Sequence, residues 1–201
     1  MNDLFRTIQS SGEGLYKEKG SKFLAFTYPV GHEESIKDHL LSLKKHYHDA
    51  RHYCYAWRLK PEKTHYRVND DGEPSGSAGK PIYGQIVSRD LTNLLVVVVR
   101  YFGGTKLGVG GLIKAYRAAA SDALDHTRII ECKVYERLKV EFAYEQMNAV
   151  LKVIKDFELD FEDQEFDLSC SLVLKCWKRQ KQRFLESFSM IPGCKITVIE
   201  E

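Results

Sequence analysis

The sequence predicts an α+β protein of two domains, and three observations carry that expectation. Apolar residues switch repeatedly between the two-residue period of strands and the 3.6-residue period of helices. From Arg128 onward the segments run β-α-β-β-α-β, the order of the ferredoxin-like split βαβ arrangement. The charge balance also changes sign along the chain. Residues 1–133 hold 20 Lys+Arg against 15 Asp+Glu, and residues 134–201 hold 10 against 13. The expected domains are therefore 1–133 and 134–201, with any anionic partner on the first.

Each element has a local justification. Leu15-Tyr16 and Lys22 to Tyr28 read as two strands joined near Lys19-Gly20-Ser21, the second stopped by Pro29 and Gly31. Ile36, Leu40, Leu43 and Tyr47 share one helical face over 33–47, and Glu33 and Glu34 sit in the first turn where the dipole favours them. RHYCYAWRL, residues 51–59, returns to strand composition. Residues 69–81, NDDGEPSGSAGKP, have no large apolar side chain and read as an exposed loop. A helix from Pro81 would turn Ile82, Ile86 and Val87 inward. Leu94 to Val99 is an unbroken apolar run with four valines, a strand buried on both faces, which Arg100 ends. Five glycines follow within nine residues, and then an Ala-rich helix from Leu112 to Leu124 with Leu112, Tyr116, Ala119, Ala120, Ala123 and Leu124 on one face. Arg128 to Phe142 is strand-like. Met147, Val150, Leu151 and Ile154 have helical spacing. Phe157, Leu159 and Phe161 alternate, as do Phe166, Leu168, Cys170, Leu172, Leu174 and Cys176. Phe184, Leu185 and Phe188 suggest another helix, and Ile196, Val198 and Ile199 a last strand.

The 201 residues are 43% hydrophobic and 29% charged, as in an ordinary soluble protein, and the net charge of +2 excludes a polycation. The N-terminus shows no cationic start followed by an apolar stretch, and the longest apolar run is far too short to span a bilayer, so no membrane partner is expected. Five scattered cysteines without a CxxC pair argue against a disulfide framework and for reduced thiols in the cytoplasm.

Two stretches carry candidate chemistry. Gly103, Gly104, Gly108, Gly110 and Gly111, with Thr105, lie between a buried strand and a helix, an arrangement that brings backbone N–H groups to an anion. Arg100, Lys106, Lys114 and Arg117 bracket the loop with positive charge, and Lys80 belongs to the same candidate anion or nucleic-acid site. The loop is not GxxxxGK(S/T), because Thr105 and Lys106 stand in reverse order, so nucleotide hydrolysis is weakly supported. The bland alternative is tight strand-to-helix packing, which also demands glycine. In the second stretch, Asp70, Asp71 and Glu73 could hold Mg²⁺ through oxygen ligands. They could equally cap the next helix, or neutralise Arg100 or Lys106 as an ion pair. His52 and Cys54 share a strand face two residues apart, poor geometry for a nucleophilic pair. Ser75 and Ser77 do not form a GxSxG elbow. No residue is assigned as catalytic. Lys175 to Arg183 is a basic run around Trp177, read as the solvated start of a helix in an otherwise acidic domain.

The two long motifs, Asp70 to Pro81 and Val99 to Gly108, closely resemble the signature of the YigZ/IMPACT family. His52-Tyr53-Cys54-Tyr55-Ala56 and Gly20-Ser21-Lys22-Phe23 are similar to its smaller motifs. Ser77 stands where Thr is more familiar, and Arg51 where a Thr precedes the His in many members. The resemblance implies a first domain like domain IV of elongation factor G, of the ribosomal-protein domain-2-like type, and a second, ferredoxin-like domain like its domain V. It further implies association with translation and brings no established catalysis. The expected function is therefore a translation-associated regulatory protein that binds RNA, the ribosome or another phosphate-bearing partner through the glycine-rich loop, with no cofactor. The alternatives are a Mg²⁺-dependent enzyme acting on a phosphorylated small molecule and a protein-protein module acting on a translation factor.

Overall fold

The structure is a computed structural model that describes residues 3–165 and 169–199. The chain divides into two compact units, Phe5–Cys132 and the remainder from Lys133 onward together with the residues up to Leu4.

In chain order, the elements of the first unit are β1 (Leu4–Ile8), β2 (Gly12–Glu18), β3 (Ser21–Pro29), α1 (Glu33–His46), β4 (His52–Leu59), β5 (His65–Asn69), α2 (Gly79–Ser88), β6 (Leu94–Tyr101), α3 (Gly108–Asp125) and β7 (Ile129–Lys133). Five strands form one sheet in the order β2-β3-β6-β4-β5, and β1 pairs with β7 separately. Strand β6 is central, and Leu94 to Val99 are fully buried because both sheet faces are covered. On one face Val96 and Val98 meet Ile82 and Ile86 of α2 and Leu112, Tyr116 and Ala119 of α3. On the other, Leu95, Val97 and Val99 pack with Trp57 and with Ile36 and Leu43 of α1.

The described structure departs from the sequence reading at several places, each with a physical reason. Arg100 does not end β6, which runs on to Tyr101 because the guanidinium finds a partner inside. Helix α3 starts at Gly108, four residues before the first apolar position, so Gly108, Gly110 and Gly111 belong to its first turn and not to the loop. Helix α2 starts at Gly79, which makes Pro81 its third residue and turns Val87 out to solvent. The loop before α2 is not fully exposed, since Glu73, Ser77 and Ala78 are buried. Val134 breaks the expected strand 128–142 into β7 and the first strand of the second unit, its N–H donating to Asp3 O at 2.8 Å.

That second unit contains β8 (Tyr135–Ala143), α4 (Met147–Asp156), β9 (Asp160–Glu165), β10 (Ser169–Trp177), α5 (Lys181–Ser189) and β11 (Lys195–Ile199). The sheet order β11-β8-β10-β9 is that of the split βαβ arrangement. Leu138, Val140 and Phe142 alternate inward and meet Val150, Ile154, Phe184 and Phe188. Leu151 of α4 and Phe161 of β9 face solvent. Phe166 and Leu168 lie outside the described residues. Two cations of the basic run pair with one acid of β8: Lys181 lies 2.5 Å and Lys178 3.9 Å from Glu136, while Lys133 and Arg179 flank the Trp177 ring.

Candidate functional site

The two sequence motifs meet in the first unit through a buried polar chain. The Arg100 guanidinium donates to Glu73 Oε1 at 2.6 Å, with the two side chains only 7% and 4% exposed. Tyr116 of α3 donates its hydroxyl to the same oxygen at 2.7 Å, and Cys54 Sγ lies 3.3 Å from the Tyr116 oxygen. Phe23 and Phe102 lie 5.4 and 5.7 Å from the guanidinium, so Arg100 sits against aromatic rings with its charge taken up by Glu73. Arg100 is therefore not a surface cation. Its place among the loop's outward-facing charges is corrected to that of an internal tie between β6, the loop 70–78 and α3. Among the described residues the Arg100 Nε has no hydrogen-bond partner.

The other two acids of that loop are also engaged, each differently. The Asp70 carboxylate accepts the N–H groups of Gly76 at 2.8 Å, Ala78 at 3.0 Å and Gly79 at 2.8 Å, and so caps α2 from nine residues upstream of its first residue. Burial disfavours its ionisation, but the three N–H groups and Lys80 outweigh that and hold its pKa below the usual carboxylate value. Asp71 accepts the Tyr53 N–H at 2.7 Å and takes an αL-like φ of 40°. The three acids thus point to three partners, and among the described residues no group of three His, Cys, Asp or Glu side chains could hold a metal ion.

His52 and Cys54 do share a strand face but not a chemistry. His52 Nδ1 contacts Asp71 O at 2.8 Å, and Cys54 is fully buried and donates to Asp70 O at 3.0 Å. Burial pushes the Cys54 thiol far up, which keeps it protonated and inert. Ser75 is exposed, whereas the Ser77 hydroxyl is enclosed without a hydrogen-bond partner.

The glycine stretch serves several purposes. A Cβ on Gly103 would fall 1.9 Å from the carbonyl carbon of Gly20, so this glycine lets the loop close onto the β2–β3 turn, where Ser21 Oγ accepts its N–H at 3.1 Å. Gly108 opens α3 at a φ of +70°, a conformation that side chains rarely adopt. Gly104 has a φ of +86°, and Gly111 would bring a Cβ to within 3.0 Å of Leu107. At Gly110 neither reason applies: a Cβ there meets nothing, and φ is ordinary. Thr105 and Lys106 are exposed just before this helix start, and Lys114 and Arg117 are exposed farther along the helix.

The charge at the C-terminal end of α3 opposes its dipole, and its N-terminal turn carries none. Helix α1 carries Glu33 and Glu34 in its first turn and Lys44, Lys45 and His46 in its last, which stabilises it. Helix α3 has no acid in its first turn and no base in its last, and no side chain caps its start. Lys114 and Arg117 lie in its middle turns, and Asp122 and Asp125 at its end. The acids have other partners, Asp122 accepting the Leu15 N–H at 2.8 Å and Asp125 pairing with Arg89 at 2.6 Å. Lys80 and Arg117 line a shallow groove of about 260 Å³ between α2 and α3, floored by Gly76, Pro81, Gly84 and Ile113. The sequence had grouped these two cations with the loop, and the structure brings them onto one surface. Sequence reasoning did not single out Tyr116, whose only signal was a hydroxyl on an otherwise apolar helix face.

Comparison with known proteins identifies relatives of the whole chain. Residues 19–124 match the family model for the Impact N-terminal domain. The chain is 32% identical to the IMPACT family member YvyE of Bacillus subtilis over 194 residues, covering 96% of this chain and 89% of that protein. It is 31% identical to an IMPACT family member of Haemophilus influenzae, covering 87% and 85%. A solved structure of a hypothetical protein superimposes over the full length of both chains with a TM-score of 0.79 and 25% identity.

Proposed function

The chain belongs to the IMPACT family, and on that premise we propose that it is a cytoplasmic, translation-associated regulatory protein whose partner is RNA on or near the ribosome. The likeness of its two domains to domains IV and V of elongation factor G is part of this proposal.

The observation that carries the reading is the start of α3. An 18-residue helix that begins on glycines, without a capping side chain or a first-turn acid, presents its N–H groups and the positive end of its dipole to an external anion. Exposed Lys106 stands just before it, Lys114 and Arg117 follow along the helix, and Lys80 faces Arg117 across the groove. The helix also forgoes the roughly 0.3–1 kcal/mol that an acid in its first turn would contribute. That loss is offset when the cations and the N–H groups act together on phosphates. Phosphate contacts position a partner without reading its sequence, which suits association with structured RNA.

The test is co-sedimentation with ribosomes at low and high salt, comparing wild type with Lys106→Ala/Lys114→Ala. Wild type is expected to pellet at low salt and dissociate at high salt, because displaced counterions drive phosphate binding. The double variant is expected to stay in solution. If wild type does not pellet, the reading is wrong. Arg100 is unsuitable for this test, since its replacement would leave Glu73 buried and unpaired.

A further inference from the structure

On the sheet face opposite α2 and α3, helix α1 covers only part of the surface. The strand register places Lys17, Lys22 and Tyr101 in one row across β2, β3 and β6, and Leu15, Leu24 and Val99 in the next. These rows extend past the end of α1, where Tyr47 follows its last turn. They form a groove of about 500 Å³, lined by Leu15, Lys17, Gly20, Lys22, Leu24, Tyr47, Tyr101 and Phe102. Small-ligand sites are typically about 300–1,000 Å³, so one or two nucleotide units would fit.

We propose that this groove is a base-stacking site for single-stranded RNA, resting on the reading of an RNA partner given above. Its chemistry is that of a stacking platform with an electrostatic funnel. Phe102 is 55% exposed although the buried Arg100 guanidinium lies 5.7 Å from its ring, so the ring is supported from within and still presented to solvent. The Tyr101 hydroxyl donates to Asp49 at 2.6 Å, which fixes the ring's tip and engages the nearby carboxylate. That hydrogen bond first, and then burial, push the Tyr101 hydroxyl up to about 12, so it stays neutral beside a polyanion. The groove itself is lined by two lysines and no acid, and Lys44 of α1 stands over the neighbouring Tyr53 ring at 5.5 Å. A duplex hides its base faces, and an apolar peptide has no use for the paired lysines; unpaired bases with their phosphates satisfy both features. The groove also adjoins the glycine stretch: Phe102 precedes Gly103, and Gly20 of the groove touches Gly103.

The experiment is a fluorescence-anisotropy titration of the full chain with labelled decauridylate and, separately, with the same strand annealed to decaadenylate. The single strand is expected to bind more tightly than the duplex. Phe102→Ala should weaken the single strand by about fivefold or more, the loss of one stacked base. Phe102→Leu should do the same, because it restores apolar cover but not the ring. Lys17→Ala/Lys22→Ala should lower the salt slope by about 1.4, two single-strand phosphates. Unchanged binding in both Phe102 variants, equal binding of the duplex, or no binding of decauridylate by wild type would overturn the groove. Ribosome pelleting reads the other proposal separately. Pelleting with decauridylate affinity indifferent to Phe102 keeps the ribosome and removes the groove; a Phe102-dependent affinity without pelleting does the reverse.

Discussion

Helices α2 and α3 lie side by side on one face of the same sheet, yet their N-termini are built in opposite ways. At α2, Asp70 reaches back from the preceding loop and accepts three N–H groups, so the donors and the dipole are answered from inside the protein. At α3 no side chain does this, the first turn has no acid, and glycine occupies Gly110 where neither space nor backbone conformation demands it. The chain thus contains a worked solution to helix capping within the same unit and does not apply it to its longest helix. The start of α2 is closed by the protein itself, and the start of α3 is the end to which the proposed function assigns a partner.

The largest expected effect breaks the structural side of this comparison. Glu73→Ala leaves Arg100 buried without its counter-charge, and removal of one member of a buried pair costs about 3–5 kcal/mol. Urea unfolding should show that loss in the first unit, and a variant as stable as wild type would mean that the chain Arg100–Glu73–Tyr116 does not hold the loop. Next comes Asp70→Ala, which removes the cap of α2 and should cost about 2 kcal/mol. Because the folded-state pKa of Asp70 is depressed, its contribution is fully present above the unfolded carboxylate pKa and is lost as pH falls through the lower, folded value. Wild type should therefore lose stability on acidification below about pH 4, and Asp70→Ala should lose less over the same range. Ribosome pelleting by Asp70→Ala at neutral pH should persist. Ser77→Ala is smaller and opposite in sign: it removes an enclosed hydroxyl without a partner, so stability should be unchanged or rise by up to about 1 kcal/mol. A loss above that size would reveal a bond that the hydroxyl makes.

Much of the fold was legible in the sequence because it rests on period. The central strand, the apolar face of α3 and the order of the second unit follow from alternation and helical spacing. The strand β5, HYRVN, was not, since an exposed, polar edge strand has no apolar alternation to read. The start of α3 was misplaced because glycine is discounted in helices, although a first turn tolerates it where N–H groups are meant to stay open. At the candidate site the depth of Arg100 was not legible. A strand buried on both faces gives no alternation to say which way Arg100 points, and Glu73, 27 residues earlier, completes it only in three dimensions. The cap of α2 was hidden likewise, since Asp70 lies nine residues before Gly79 and not at the N-cap position.

The most direct test of the central claim supplies α3 with the acid it lacks. Gly110→Asp places a carboxylate in the first turn, at a position where a side chain meets nothing. The variant is expected to be more stable than wild type by about 0.3–1 kcal/mol, because an acid at a helix N-terminus is stabilising, and no longer to pellet with ribosomes at low salt. A variant that gains that stability and still pellets like wild type would contradict the assignment of this helix end to an anionic partner.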